Sequence, residues 1–357
     1  MKTADFDYFL PPDRIAQSPA RPRDSSRLMV LDRGDSSLTH TVFRRIGEFL
    51  RSGDLLVLNQ TRVIPARLYA RKLPGGGRAE LLLLRRLSGR TWEAMVGGKG
   101  LKAGRRLEII RPQPVSGEEN AALAHEPGPI QALVLESLDG PRRIIEFSQS
   151  LDASLDEVGH VPLPPYIEKP LDNAQDYQTV YARRPGSAAA PTAGLHFTPE
   201  LIAGLQAAGV HFVYVTLHIG MDTFAPVTEE DPQKHSIHSE WCRLSSETAV
   251  MVNRTRARRG RVIAVGTTAV RTLETAALHA PEGAIVAPFE GETDLYILPG
   301  FNFRAVDGMV TNFHLPRSTL LMMLSAFAGR QPILAAYQTA VEENYRFYSF
   351  GDAMLIT

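Results

Sequence analysis

Four histidines stand in loop segments beside glycine, proline or hydroxyl residues: His196, His218, His238 and His314. An imidazole so placed suits proton transfer or hydrogen bonding, because its ordinary pKa lies near neutrality. Asp222 and Glu240 lie close to two of them in sequence. A metal site is the competing reading, but His235, His238 and Glu240 have weak ligand spacing, and no HExxH motif or paired-histidine helix occurs. Acid–base and hydrogen-bonding roles therefore fit better than metal ligation, with a purely structural role open for each ring.

A second candidate is Gly266-Thr267-Thr268, which follows an apolar run and opens a helical pattern. A glycine turn with two hydroxyls at a helix N-terminus suits an anion or carboxylate. Arg271, one turn on, has the fork for a bidentate contact. Simple helix capping by Thr267 explains the same residues. Neither a Walker loop nor a GxGxxG fingerprint is present, so an NTPase or a standard dinucleotide fold is unsupported. The third candidate is Tyr177 to Thr198, whose alanines, Gly186, Ser187, Pro191, Thr192, Gly194 and His196 are too small-sided to build a core. Thr198, Pro199 and Glu200 then start a helix. This stretch is either a surface connector or a cradle in which a ligand approaches backbone.

The elements that must position these groups alternate between apolar strand runs and helical spacings. That pattern predicts an α/β main domain with a mostly parallel sheet. Four turns follow strand-like runs: Asn59 to Arg62, His218 to Phe224, Gly266 to Arg271 and Thr311 to His314. In such a sheet they open on one edge, where functional groups gather. Thr41 to Leu50 has a helical spacing of apolar residues. Between Ala66 and Phe147 the texture changes to six short strands with glycine turns, which predicts an inserted small antiparallel β-barrel domain. The expected division is 1–61 and 151–357 for the α/β domain and 62–150 for the barrel. Pro112 to Pro129 reads as a long loop.

Composition narrows the class. Of 357 residues, 44% are hydrophobic and 22% charged, the profile of a globular protein. The single cysteine, Cys242, excludes an intramolecular disulfide framework and a cysteine-rich zinc site. No secretory signal is visible, and the longest apolar stretch, Leu320 to Ala328, is far short of the roughly 18 residues that span a bilayer. A cytoplasmic protein is expected. Formal net charge is zero, yet between Arg62 and Arg111 thirteen Lys or Arg residues face three acids, Glu80, Glu93 and Glu108. A second basic cluster runs from Arg254 to Arg261. Such patches either neutralise phosphates or form solvated faces.

Long motifs carry a resemblance along nearly the whole chain. They are IAQSP with RDSSRL, DLLVLNQTRVIPARL, GHVPLPPYI, YQTVYA with GSAAAPTAGLHFT, TLHIG with TFAPV, VIAVGTTAVRTLE, TDLYILPG and VDGMVTNFHLPRSTLLM. In this order they resemble the S-adenosylmethionine:tRNA ribosyltransferase-isomerase family of queuosine biosynthesis. Asp222 is a departure, since glycine is commoner there, and this argues against a general catalytic role for its carboxylate.

The resemblance implies transfer of the ribosyl part of S-adenosylmethionine to 7-aminomethyl-7-deazaguanine in a tRNA anticodon. Adenine and methionine leave, and rearrangement gives epoxyqueuosine-tRNA. S-adenosylmethionine is then a substrate, no metal or redox cofactor is needed, and a monomer off the membrane is expected. A base and an acid are required, and His196, His218 and His314 are the expected catalytic groups. Thr192, Gly194 and Ser187 fall in the segment expected to hold the nucleoside. Thr267, Thr268 and Arg271 are expected on the methionine carboxylate or a tRNA phosphate, and Asp294 and Asn312 on ribose hydroxyls or the base. Arg23, Asp24, Arg27, Asn59 and Arg62 complete the expected substrate-binding set, with tRNA phosphates on the basic barrel. An S-adenosylmethionine-dependent tRNA methyltransferase and a non-enzymatic RNA-binding protein are the alternatives.

Overall fold

The computed structural model describes residues 1–111, 128–220 and 226–357. It contains two compact units. The first comprises Met1–Arg62, Pro164–Arg184 and Ala189–Thr357; the second comprises Val63–Leu163 and Pro185–Ala188. The second unit thus runs past the expected edge at 150 and takes in a short piece of the small-residue stretch.

Among the described residues the first unit carries a nine-stranded sheet. Its strands are β1 (Arg27–Leu31), β2 (Leu38–Val42), β3 (Leu55–Asn59), β4 (His211–Leu217), β5 (Glu240–Leu244), β6 (Val262–Val265), β7 (Phe289–Thr293), β8 (Gly308–Asn312) and β9 (Ala353–Ile356). Their spatial order is β7-β5-β4-β3-β6-β8-β9-β1-β2. The four central strands, β4, β3, β6 and β8, pair in parallel, as do β9 and β1. The remaining four pairings are antiparallel, so the sheet is mixed rather than mostly parallel. The reversal at β9 has a simple cause. Two helices bent by 118°, not one crossover helix, separate it from β8, so the chain arrives running the other way.

Strands β3, β6 and β8 are fully buried and mainly apolar, with Asn59, Thr311 and Asn312 as polar residues at the carboxyl ends of β3 and β8. Successive residues still divide between two cores. Leu55, Val57, Val262, Ala264, Met309 and Ile356 join one. Leu56, Leu58, Ile263, Val265, Val310 and Leu355 join the other. The helices are α1 (Pro199–Ala207), α2 (Ser246–Ala257), α3 (Thr267–Leu278), α4 (Thr319–Ala328) and α5 (Arg330–Glu342). The first core includes residues of α3, α4 and α5; the second includes Phe43, Phe197 and Leu205. Thr198, Ser245 and Ser318 cap α1, α2 and α4 by accepting from the amides of Leu201, Thr248 and Leu321. The helical spacing at Thr41 to Leu50 resolves instead into the end of β2 and a 3-10 segment, Phe43–Phe49, which buries Phe43 and Ile46. Among the described residues no single helix is long and apolar enough to cross a membrane.

The second unit contains six strands in a closed antiparallel barrel, as its glycine-punctuated sequence predicts. The ring runs 67–73, 78–86, 91–97, 142–147, 131–137, 106–109 and back to 67–73. Leu68, Leu81, Ala94, Ile145, Val134 and Leu107 are among its fully or nearly fully buried side chains. Residues 112–127 of the expected long loop lie outside the described residues.

Helix α3 is fastened at its far end by Glu274, which is fully buried. Its carboxylate accepts from the amides of Arg304 (2.9 Å), Ala305 (3.0 Å) and Val306 (3.1 Å). Each buried amide left without a partner costs about 1–3 kcal/mol. Glu274→Ala is therefore expected to lower the unfolding free energy by about 3 kcal/mol or more. Glu274→Gln, which keeps one acceptor oxygen, is expected to lose less. Urea denaturation of the two variants checks this.

Candidate active site at the ends of the central strands

A cavity lies in the first unit, where β4, β6 and β8 finish. Ile219 enters it just after β4, Gly266, Thr267 and Thr268 just after β6, and Thr311, Asn312, His314 and Leu315 around the end of β8. Thr192 and its neighbours supply another wall, and Tyr166, Tyr348 and Ser349 a further one. Among the described residues no Lys, Arg, Asp or Glu lines it. Of the expected site residues it collects Thr192, Thr267, Thr268, Asn312 and His314.

Asn312 ties these walls together. Its Oδ1 accepts from the Thr192 hydroxyl at 2.9 Å. Its Nδ2 faces the Tyr348 carbonyl at 3.2 Å and His196 Nε2 at 3.3 Å. An amide nitrogen only donates, so His196 Nε2 is the acceptor and its proton sits on Nδ1, 2.8 Å from Ser26 Oγ. His196 is 4% exposed and packs beside Phe43. Burial pulls its pKa down to about 3, with Arg346 and Arg23 adding to the effect. The ring is neutral, stands behind Asn312, and does not line the cavity.

His314 does line it. Its Nε2 lies 2.7 Å from Thr311 Oγ1, its amide donates to the Tyr337 hydroxyl at 2.9 Å, and its carbonyl accepts from Tyr8. Burial lowers its pKa to about 3, so this imidazole is also neutral at pH 7.

The aromatic wall is absent from the expected site. Tyr166 and Tyr348 stack with ring centroids 4.3 Å apart. Tyr166 Oη and Ser349 Oγ are 2.8 Å apart. Gln17 of IAQSP fixes this segment by donating to the Tyr166 carbonyl at 2.9 Å and accepting from the Glu168 amide at 2.8 Å. Tyr348 has φ +68°, a left-handed conformation that costs energy in a bulky residue and recurs at functional sites. Two hydroxyls of the lining, on Thr268 and Tyr348, are buried without a hydrogen-bond partner among the described residues.

Other expected site residues lie elsewhere. His218 stacks on Trp241 and sits 3.3 Å from Thr61 Oγ1; burial lowers its pKa. Arg271 is buried in an ion pair with Glu240 and also donates to the carbonyls of Thr293 and Leu295 at 3.1 Å. Asn59 joins strand ends, accepting from the Leu217 and Thr61 amides and donating to the Leu217 carbonyl. Arg23 holds the carbonyls of Gln175 and Gln178, and the neighbouring Asp24 is half-buried outside the lining. Arg27 covers the Tyr345 ring at 3.7 Å. Arg62 and Asp294 are exposed. Ser187 is fully buried and belongs to the second unit. Gly194 is a packing position, since a Cβ there would meet the Tyr181 hydroxyl at 1.9 Å. Asp222 lies outside the described residues.

His235, His238 and Arg271 line a second cavity, which shares Leu320 with the first. His235 pairs with Glu229 at 2.9 Å. Among the described residues no three His, Cys, Asp or Glu side chains come together as a metal site. Burial pushes the Cys242 thiol up to about 12, in keeping with a packing role.

A cavity of hydroxyls, amides and aromatic rings at the carboxyl ends of parallel strands is the usual ligand site of an α/β sheet. Comparison with known proteins gives it a family. The family model described as queuosine biosynthesis protein matches residues 3–356, and the chain belongs to that family. Its relatives include the S-adenosylmethionine:tRNA ribosyltransferase-isomerase of Carboxydothermus hydrogenoformans, 49% identical over 359 residues, and that of Desulfitobacterium hafniense, 48% identical over 359 residues. Both alignments cover 100% of either chain. The crystal structure of S-adenosylmethionine tRNA ribosyltransferase from Thermotoga maritima matches with a TM-score of 0.55 at 41% identity, covering 99% of this chain and 100% of that one.

The depressed pKa of His196 sets a pH dependence. Both states are neutral at this ring well above pH 6.5. Below that the unfolded chain takes up a proton that the folded chain refuses, so stability falls as pH drops from about 6.5 towards about 3. In His196→Gln this contribution disappears. Thermal melts between pH 7 and pH 4.5 are expected to show a shallower acid loss in the variant than in the wild type.

Proposed function

We propose that this enzyme transfers and isomerises the ribosyl moiety of S-adenosylmethionine onto 7-aminomethyl-7-deazaguanine in a tRNA anticodon, yielding epoxyqueuosine-tRNA, adenine and methionine. The observation that carries the reading is the cavity at the strand ends, which has no charged lining among the described residues and, apart from Tyr348 and Ser349, is lined by residues of the motifs that carry the resemblance. Such a cavity suits S-adenosylmethionine, which brings its own opposing charges. Adenine is flat and packs on the Tyr166–Tyr348 stack. The sulfonium acidifies the adjacent C5′ protons and makes methionine a good leaving group. His314 is the lining imidazole, neutral at pH 7 and held by Thr311, and is assigned the proton transfers at the ribose. His196 acts through Asn312 as a positioning residue. S-adenosylmethionine is consumed as a substrate, and the reaction balances without a metal or redox cofactor. The setting is cytoplasmic and the working form a monomer.

The barrel supplies phosphate contacts for the tRNA. Some of its basic residues are already paired, such as Arg67 with Glu80 and Arg86 with Asp152. Arg71 and Arg78 make no ion pair among the described residues: they sit directly opposite each other on neighbouring strands, both exposed, with Glu108 opposite Arg71 on its other side. Like charges in that position repel and favour a bound polyanion.

Incubation with S-adenosylmethionine and tRNA carrying the deazaguanine precursor tests the reaction. Release of adenine and methionine with ribosyl label entering the tRNA is expected; methyl label entering the tRNA instead would indicate a methyltransferase. His314→Gln is expected to lower kcat by about 10²–10⁴-fold, the usual range for a general acid or base. The double variant Arg71→Gln, Arg78→Gln is expected to weaken tRNA binding and flatten its dependence on salt by a log–log slope of about 1–2, with kcat at saturating tRNA unchanged.

A further inference from the structure

The start of α3 is arranged for an anion that the protein does not itself provide. Gly266 precedes the helix with φ +88° and ψ 153°, a backbone conformation open to glycine and strained for other residues. Having no side chain, it cannot cap the helix, and no side-chain cap is made. The backbone amides of Thr267 and Thr268 have no acceptor among the described residues. These amides carry the positive end of a 12-residue helix. An independent feature marks the same spot. Thr268 is 7% exposed, lines the cavity, and its Oγ1 has no hydrogen-bond partner among the described residues. A buried hydroxyl left unpaired costs free energy, and a bound acceptor removes that cost.

The nature of the anion follows from its surroundings. Arg271, the basic residue nearest in sequence along the helix, is committed to Glu240 and to two carbonyls. Among the described residues no Lys or Arg lines the cavity. A phosphate buried there would carry its charge without a cation. An amino-acid carboxylate would not, since its own ammonium travels with it and a sulfonium follows three carbons away.

We propose that the amides of Thr267 and Thr268 and the Thr268 hydroxyl bind the methionine carboxylate of S-adenosylmethionine. This rests on the reading of S-adenosylmethionine as the ribosyl donor and assigns its amino-acid end to the start of α3. It leaves the tRNA phosphates to other parts of the protein. Gly266 serves by keeping the amides uncovered. A Cβ there would stand 3.7 Å from Thr268 Oγ1 and 3.6 Å from the Ala193 side chain, in the space beside the proposed carboxylate.

The test compares S-adenosylmethionine with its decarboxylated analogue on the wild type, Thr268→Val and Thr268→Ser, with tRNA saturating. Binding is measured by equilibrium dialysis and turnover by adenine release. A hydrogen bond to a charged group is worth about tenfold or more in affinity. The wild type is expected to bind S-adenosylmethionine at least tenfold more tightly than the analogue. Thr268→Val is expected to lose about tenfold for S-adenosylmethionine and little for the analogue, and Thr268→Ser to recover most of the loss. Equal weakening towards both ligands, or a raised KM for tRNA with unchanged affinity for S-adenosylmethionine, overturns the assignment. Should Thr268→Val fail to fold, the comparison of the two ligands on the wild type still decides, because equal affinities rule out a carboxylate site. A wild type that neither binds S-adenosylmethionine nor releases adenine overturns the proposed reaction itself, which separates the two failures.

Discussion

One buried primary amide holds the cavity in shape. Asn312 sits at the end of β8, and its three hydrogen bonds reach Thr192, His196 and the Tyr348 carbonyl. Through His196 the chain extends to Ser26, just before β1. Three segments far apart in sequence, around Ser26, Thr192–His196 and Tyr348, are thereby registered against one side chain. The neutrality of His196 is part of this constraint. A protonated imidazole would have no lone pair for the Asn312 amide, and the amide would then face a second donor. Burial secures the neutral form, so the same physics that hides His196 from substrate suits it to the task of alignment.

Charge is kept out of the cavity by pairing it elsewhere. Arg271 and Glu240 satisfy each other in the interior, and Glu240 also accepts from the Gly220 amide at 2.9 Å. Breaking such a pair would leave an uncompensated charge beside the site. Among the described residues, the cavity walls carry neutral donors, acceptors, aliphatic side chains and aromatic faces. These suit a ligand that carries balanced charges of its own, because strong fields from the protein would favour one end of it over the other.

Much of this was legible in the sequence, for physical reasons. Thr267, Thr268, Asn312 and His314 directly end or follow apolar runs, and a parallel strand delivers its carboxyl end to a site. The barrel showed itself through glycine turns between short strands. Strand direction is not a property of composition, and so the reversal of β9 was not visible. Arg271 looked available because its partner Glu240 lies 31 residues away. His196 looked reactive because a loop of small residues does not announce that it is buried. Tyr348 and Ser349 offered no signal at all, since nothing in YRFYSF foretells that a tyrosine adopts a left-handed backbone and turns into a cavity wall. Tyr166 lay within PLPPYI, yet its stacking partner in the same wall is 182 positions on.

Leu320, near the start of α4, belongs to the walls of both cavities in the first unit. One aliphatic side chain therefore borders two cavities at once. A change in its size alters the shape of both, which makes this position a natural lever on the range of sulfonium compounds the enzyme accepts.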